Sequence, residues 1–193
     1  RKTLQNEEER KMTAYHEAGH ALVAAFVPDM DAVHRVSIVA RGGSLGHTSF
    51  PPERDRYNET KTRLVSMITS MLGGRAAEEV VYDELTIGAS DDIKKSTGLA
   101  RRMVLEYGMS SLGPINYQSE GHGSWLAKDF DDGLHLSNEM SAKIDKEVER
   151  IVGEAYENAK NIITKNRESL DRVTDRLLEK ETIDGDEFRS LLA

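Results

Sequence analysis

Residues 16–20 read His-Glu-Ala-Gly-His inside an apolar-periodic run that a helix explains well. Asn6 offers an N-cap side chain with Glu9 three residues on, the spacing of a capping box. Met12, Tyr15, Gly19, Val23 and Val27 follow as a stripe, and Pro28 ends the element, so the pattern predicts a helix over 7–27. On that helix His16 and His20, four apart, share a face. Two imidazoles so placed can hold one Zn²⁺ at Zn–N distances of about 2.0–2.1 Å. In this motif the Glu, here Glu17, stays off the metal and takes a proton from the attacking water. The alternative is a pair of hydrogen-bonded helix histidines. Gly19 costs about 0.5–1 kcal/mol relative to Ala within a helix. The expected return is close approach of another backbone, or of substrate, to the metal face.

A hydrolytic zinc wants three protein ligands and one open position. The chain has no Cys, which leaves His, Asp and Glu. His34, His47, His122 and His135 are scattered over predicted strands and loops. The run Ala21-Leu22-Val23-Ala24-Ala25-Phe26 lacks the further Gly and His of a metzincin. A carboxylate from a later helix remains, and two segments offer one: Arg75-Ala76-Ala77-Glu78-Glu79 and Ser90-Asp91-Asp92.

At 193 residues the chain fits one domain, or one with a helical appendage, and can bury a real core. Its net charge of −8 argues against a nucleic-acid footprint, which would be basic. No apolar run approaches a membrane span and no signal-peptide pattern opens the chain. The start at Arg1-Lys2, without Met, reads as a fragment of something longer.

The remaining periodicities predict a mainly α fold, α+β at most, with a small β element beside the metal helix. Val33–Val39 alternates as a strand, Gly42-Gly43 turns, and Leu45–Phe50 forms a second strand closed by Pro51-Pro52. A helix is expected over 59–82 with Leu64, Ile68, Met71 and Leu72 buried, interrupted or kinked at Gly73-Gly74. Another spans 91–107 with Ile93, Leu99, Met103 and Val104 inside. Gly108–Leu136 reads as a mobile loop. Steps of three and four from Met140 to Ile163 give a long amphipathic helix, followed by shorter ones near 168–179 and 184–192 that pack outside. The organisation expected is a zinc-binding part over about 1–110, a flexible loop over about 111–136 and C-terminal helices over about 137–193.

Two motifs fail on inspection. Gly88–Ser96 imitates a phosphate loop, but Ile93 stands where the second Gly is required. Asp129–Gly133 imitates a Ca²⁺ loop with its Gly at position five instead of six. Trp125 reads as a loop anchor or subunit contact.

Four segments in order carry a resemblance: Ala14–Val23, Leu72–Glu79, Gly88–Ile93 and Glu106–Ser110, with Glu181–Asp186 closing. The chain resembles the peptidase domain of FtsH-type membrane-anchored AAA+ metalloproteases from about Glu7 to Leu192. The resemblance implies that His16 and His20 are zinc ligands, Glu17 the base and Asp92 the third ligand. Asp91 stands where the family has Asn, which adds negative charge near the metal. Glu78 falls where the family has a carboxylate near the histidines, and is expected either to orient an imidazole or to be a solvated helix-face residue. The resemblance further implies an endopeptidase acting on unfolded polypeptides and a homo-hexamer. An AAA+ module in the same parent chain would thread substrates. A membrane anchor would lie outside these residues, in a bacterial inner membrane with this domain on the cytoplasmic side, or in an organelle equivalent. No Walker motif is present, so ATP binding is not expected of this chain. Substrate is expected to bind extended along the strand edge around Ser44–Phe50. An inactive scaffold subunit that keeps the fold, and a zinc hydrolase acting on bonds other than peptides, are the competing readings.

Overall fold

The computed structural model describes residues 6–40, 45–52, 58–118 and 136–193. The turn expected at Gly42-Gly43, the start of the strand edge at Ser44, most of the expected loop, and His122, Trp125, Asp129–Gly133 and His135 lie outside them.

Helix α1 spans Glu7–Phe26. Asn6 caps it by accepting from the Glu8 N–H at 2.7 Å, and three glutamates in the first turn suit the positive end of the helix dipole. The residue before Pro28, Val27, is extended, as the proline ring requires. The sequence predicted an apolar stripe, but α1 is buried on every side from Thr13 to Ala24 except at half-buried His20. Ala14, Ala18, Ala21 and Gly19 make this possible, because small side chains let neighbouring elements approach the axis.

The elements following α1 are β1 (Arg35–Ser37), β2 (His47–Ser49), α2 (Lys61–Met71), α3 (Gly73–Tyr82), α4 (Ser90–Leu105), α5 (Asn138–Lys165), α6 (Arg167–Lys180), β3 (Thr182–Asp184) and α7 (Gly185–Ser190). The mainly helical fold with a small β element matches the expectation from sequence. The predicted 59–82 element is two helices that break at Leu72-Gly73, and Met71 is only half buried. Ile93 is exposed, contrary to its predicted place inside; the inward face of α4 begins one turn later, at Ser96, and continues through Leu99, Ala100, Met103 and Val104.

The strands form an antiparallel sheet in the order β2-β1-β3, with Val36 facing Thr48 on one side and Ile183 on the other. β3 was not foreseen. The C-terminal helices also do not pack outside. Leu170, Val173 and Leu177 of α6 and Phe188 of α7 share one core with α1 and with Val36 of β1. A second core joins Leu64 and Ile68 of α2, and Leu72 at its C-cap, to Leu99 and Met103 of α4 and to Ile144, Val148 and Ile151 of α5. α5 reaches both, since its far end places Ala159 and Ile163 in the first core. Among the described residues no helix is long and apolar enough to cross a membrane.

The tightest approach is between α1 and α3. A Cβ on Gly19 would lie 2.4 Å from the Gly73 carbonyl oxygen and 2.7 Å from Ala77 Cβ, and a Cβ on Gly73 would lie 2.7 Å from the Gly19 oxygen. The return expected for a glycine in mid-helix is therefore a backbone-to-backbone contact. Gly19→Ala should lower stability by about 1–3 kcal/mol through overpacking, even though alanine is the better helix former. Thermal unfolding of the metal-free protein checks this, and an unchanged melting temperature would mean the two helices part at little cost.

Candidate metal centre

Because α1 is central, its polar face has partners built for it. His16 is 8% exposed, and its Nδ1–H donates to Glu78 Oε1 of α3 at 2.8 Å. Gly74 makes room for the ring: a Cβ there would lie 2.5 Å from His16 Nε2 and Cε1. His20 Nδ1 donates to the Ser70 carbonyl of α2 at 2.8 Å, and a carbonyl can only accept, so that nitrogen carries the proton. With both Nδ1 atoms committed, the two Nε2 atoms face each other at 3.0 Å, and each offers a lone pair when its ring is neutral. Asp92, third residue of α4, closes the triangle, with Oδ2 at 3.3 Å from His16 Nε2 and 3.4 Å from His20 Nε2. Its neighbour Asp91 instead pairs with exposed Lys95 at 2.6 Å.

Three acceptors facing one another repel unless positive charge lies between them. A tetrahedral ion with metal–donor distances of about 2.0–2.1 Å has donor–donor edges of about 3.3–3.4 Å, close to the observed 3.0, 3.3 and 3.4 Å. These donors therefore fit a zinc ion. The electrostatics of the metal-free site say the same. Burial alone would lower the His16 pKa, but the Asp92 and Glu78 carboxylates, with the charge of Glu17, push it up to about 9. Burial would raise the Asp92 pKa, yet its bonds to His16 and His20 hold it well below the usual carboxylate range. Glu78 is 2% exposed; burial works against its charge, and the His16 and Thr86 hydrogen bonds lower its pKa despite that.

Glu17 lies beside this triangle and is itself 7% exposed. Thr48 of β2 donates to its Oε2 at 3.0 Å, and Gly46 leaves room for it, since a Cβ there would lie 2.8 Å from Glu17 Cγ. A cleft of about 1220 Å³ opens over the group. Apolar Met30, Phe50, Met67 and Met71 line it together with His47 and the buried Arg63–Asp31 pair, which is 2.6 Å long.

The structure thus brings His16, His20 and Asp92 to one point, sets Glu17 beside them and buries Glu78 against His16 rather than leaving it on a solvated face. His34 is exposed, and His47 lines the cleft outside the donor triangle. Sequence reasoning missed Ser70, Thr48, Thr86 and Gly74. The Asp91–Lys95 spacing of i, i+4 was a readable sign that Asp91 is committed elsewhere.

Two helix histidines, a carboxylate from a second helix and a buried glutamate beside them are the equipment of a metal-dependent hydrolase. The peptidase family M41 model matches residues 3–191, and the chain belongs to that family. It is 46% identical over 188 residues to the ATP-dependent zinc metalloprotease FtsH 3 of Symbiobacterium thermophilum, covering 97% of this chain and 30% of that protein. It is 47% identical over 187 residues to the FtsH of Thermotoga maritima, covering 96% and 31%, and 41% identical over 189 residues to that of Bacillus subtilis, covering 97% and 30%. The chain spans about a third of the length of these relatives.

Two outcomes follow from this geometry. Asp92→Ala should weaken zinc binding by more than the roughly 10–100-fold typical of losing a group one step removed from a metal, whereas Asp91→Ala should change it little. Chelator competition measures both, and the reverse order would shift the assignment by one residue. The second outcome concerns pH. His16 releases its proton near 6.5 when unfolded and near 9 in the metal-free fold, so its contribution to stability is complete below 6.5 and lost as pH rises through about 9. Zinc needs the neutral ring, so loading at about pH 7.5 should eject close to one proton from this residue. Calorimetry in two buffers of different ionisation enthalpy reads that proton, and zero release would contradict the assignment.

Proposed function

We propose that this chain is the zinc-dependent endopeptidase domain of an ATP-dependent, membrane-anchored protease that degrades unfolded polypeptides. The observation that carries the reading is the convergence of His16 Nε2, His20 Nε2 and Asp92 Oδ2 within 3.4 Å of one another beside buried Glu17. In this proposal the two histidines and Asp92 hold the ion. Zinc, when bound, supplies a Lewis acid that acidifies water and polarises the scissile carbonyl. Glu17, steadied by Thr48, takes the proton of the attacking water and passes it to the leaving amine. Glu78 keeps His16 turned with Nε2 towards the metal.

Substrate recognition is proposed to run along β2. That strand is at one edge of the sheet, and no described strand pairs with its outer side. An extended chain added there would be gripped through its main chain, while the methionines and Phe50 of the cleft favour apolar side chains. The homo-hexamer, the AAA+ module and the membrane anchor belong to the parent protein in this proposal.

Glu17→Gln separates base from ligands. It should keep one zinc per chain by elemental analysis and lose about 10²–10⁴-fold in casein cleavage. The unaltered chain should cleave casein without ATP and leave a stably folded protein intact, because the zinc chemistry needs no nucleotide whereas unfolding needs work. Undiminished turnover by the zinc-loaded variant would remove Glu17 from the mechanism. ATP-stimulated destruction of the folded substrate by this chain alone would contradict the division of labour.

A further inference from the structure

Thr86 has so far entered only through its bonds to Glu78, yet it contacts the segments behind two of the three donors. Its backbone N–H donates to Glu78 Oε2 at 3.0 Å, and its hydroxyl reaches the two oxygens of the same carboxylate at 3.0 and 3.1 Å. Glu78 in turn holds His16. The same Thr86 oxygen accepts from the Gly88 N–H at 3.2 Å, capping the 3-10 turn Ile87–Ala89. That turn runs straight into α4, whose third residue is Asp92. A hydroxyl has one proton and two lone pairs, so donating to Glu78 while accepting from Gly88 is free of conflict.

Among the described residues, few other hydrogen bonds hold this segment before Ala89. Leu85 is 44% and Ile87 92% exposed, so apolar burial contributes little there. We propose that Thr86 is a positioning residue that ties the His16 arm of the metal site to the Asp92 arm. This rests on the reading of His16, His20 and Asp92 as ligands. Its consequence is that removing one hydroxyl loosens two ligands together: His16 through Glu78, and Asp92 through the entry to α4.

The test is zinc affinity of the purified chain, read by competition with a chromophoric chelator and independent of turnover. If the unaltered chain takes up no zinc, the reading of the metal centre fails first, and the inference with it. Given zinc binding, Thr86→Val, which keeps the volume and removes the hydroxyl, should lower affinity about 10–100-fold, and Thr86→Ser should restore it to within about threefold. If the Val chain does not fold by circular dichroism, Thr86→Ala removes the same group and is held to the same thresholds. Wild-type zinc affinity without the hydroxyl, or a loss that Ser does not recover, overturns the proposal. In a Glu78→Gln background, Thr86→Val should still cost several-fold, because the Asp92 arm loses its cap. No further loss in that background would overturn the coupling of the two arms.

Discussion

The backbones of α1 and α3 touch where Gly19 meets Gly73, and the metal centre depends on that contact. It sets the distance between the helix that carries His16, Glu17 and His20 and the helix that carries Glu78. One residue further along α3, Gly74 lets the His16 ring lie against the backbone instead of being turned away by a side chain. At this spacing His16 and Glu78 meet in a 2.8 Å bond. A methyl group at Gly19 or Gly73 would have to be accommodated by moving a helix, and one at Gly74 by turning the His16 ring; protein interiors are too densely packed to absorb either without loss.

From that contact outward, the fold delivers one group from each neighbour to the polar face of α1. α2 contributes a carbonyl to His20, α3 a carboxylate to His16, α4 the third donor and β2 the hydroxyl that holds Glu17. Every nitrogen facing away from the triangle is engaged by an acceptor, and every atom facing into it is itself an acceptor. Such an arrangement is costly when empty and stable when a cation or a proton fills it. The raised pKa of His16 and the lowered pKa of Asp92 are two expressions of this one frustration.

The sequence made the chemistry legible and the surroundings less so. The histidine pair was readable because helix geometry alone puts residues four apart on one face, and Glu17 because it sits inside that motif. Gly19 was readable because a glycine inside a helix calls for a reason. Asp92 could be singled out from Asp91 only by resemblance, although successive helix residues point about 100° apart and Asp91 has a lysine four residues on. Ser70 meets His20 across a long-range contact that no local pattern encodes. β3 is too short to show alternation, and it exists because the chain after α6 returns to cover β1. The stripe expected on α1 understated its burial, since alanines register weakly as apolar yet allow a helix to be enclosed on all sides. Ile93 matched the helical period but precedes the first inward residue of α4.

The central claim is that this site holds zinc through two imidazoles and one carboxylate, and X-ray absorption at the zinc K-edge of the loaded protein addresses it most directly. The account predicts scattering from two imidazole rings at about 2.0–2.1 Å together with oxygen at about 2.0–2.2 Å, and no sulfur. A third imidazole, which His47 in the cleft could supply, or a methionine sulfur from the cleft wall, would contradict it.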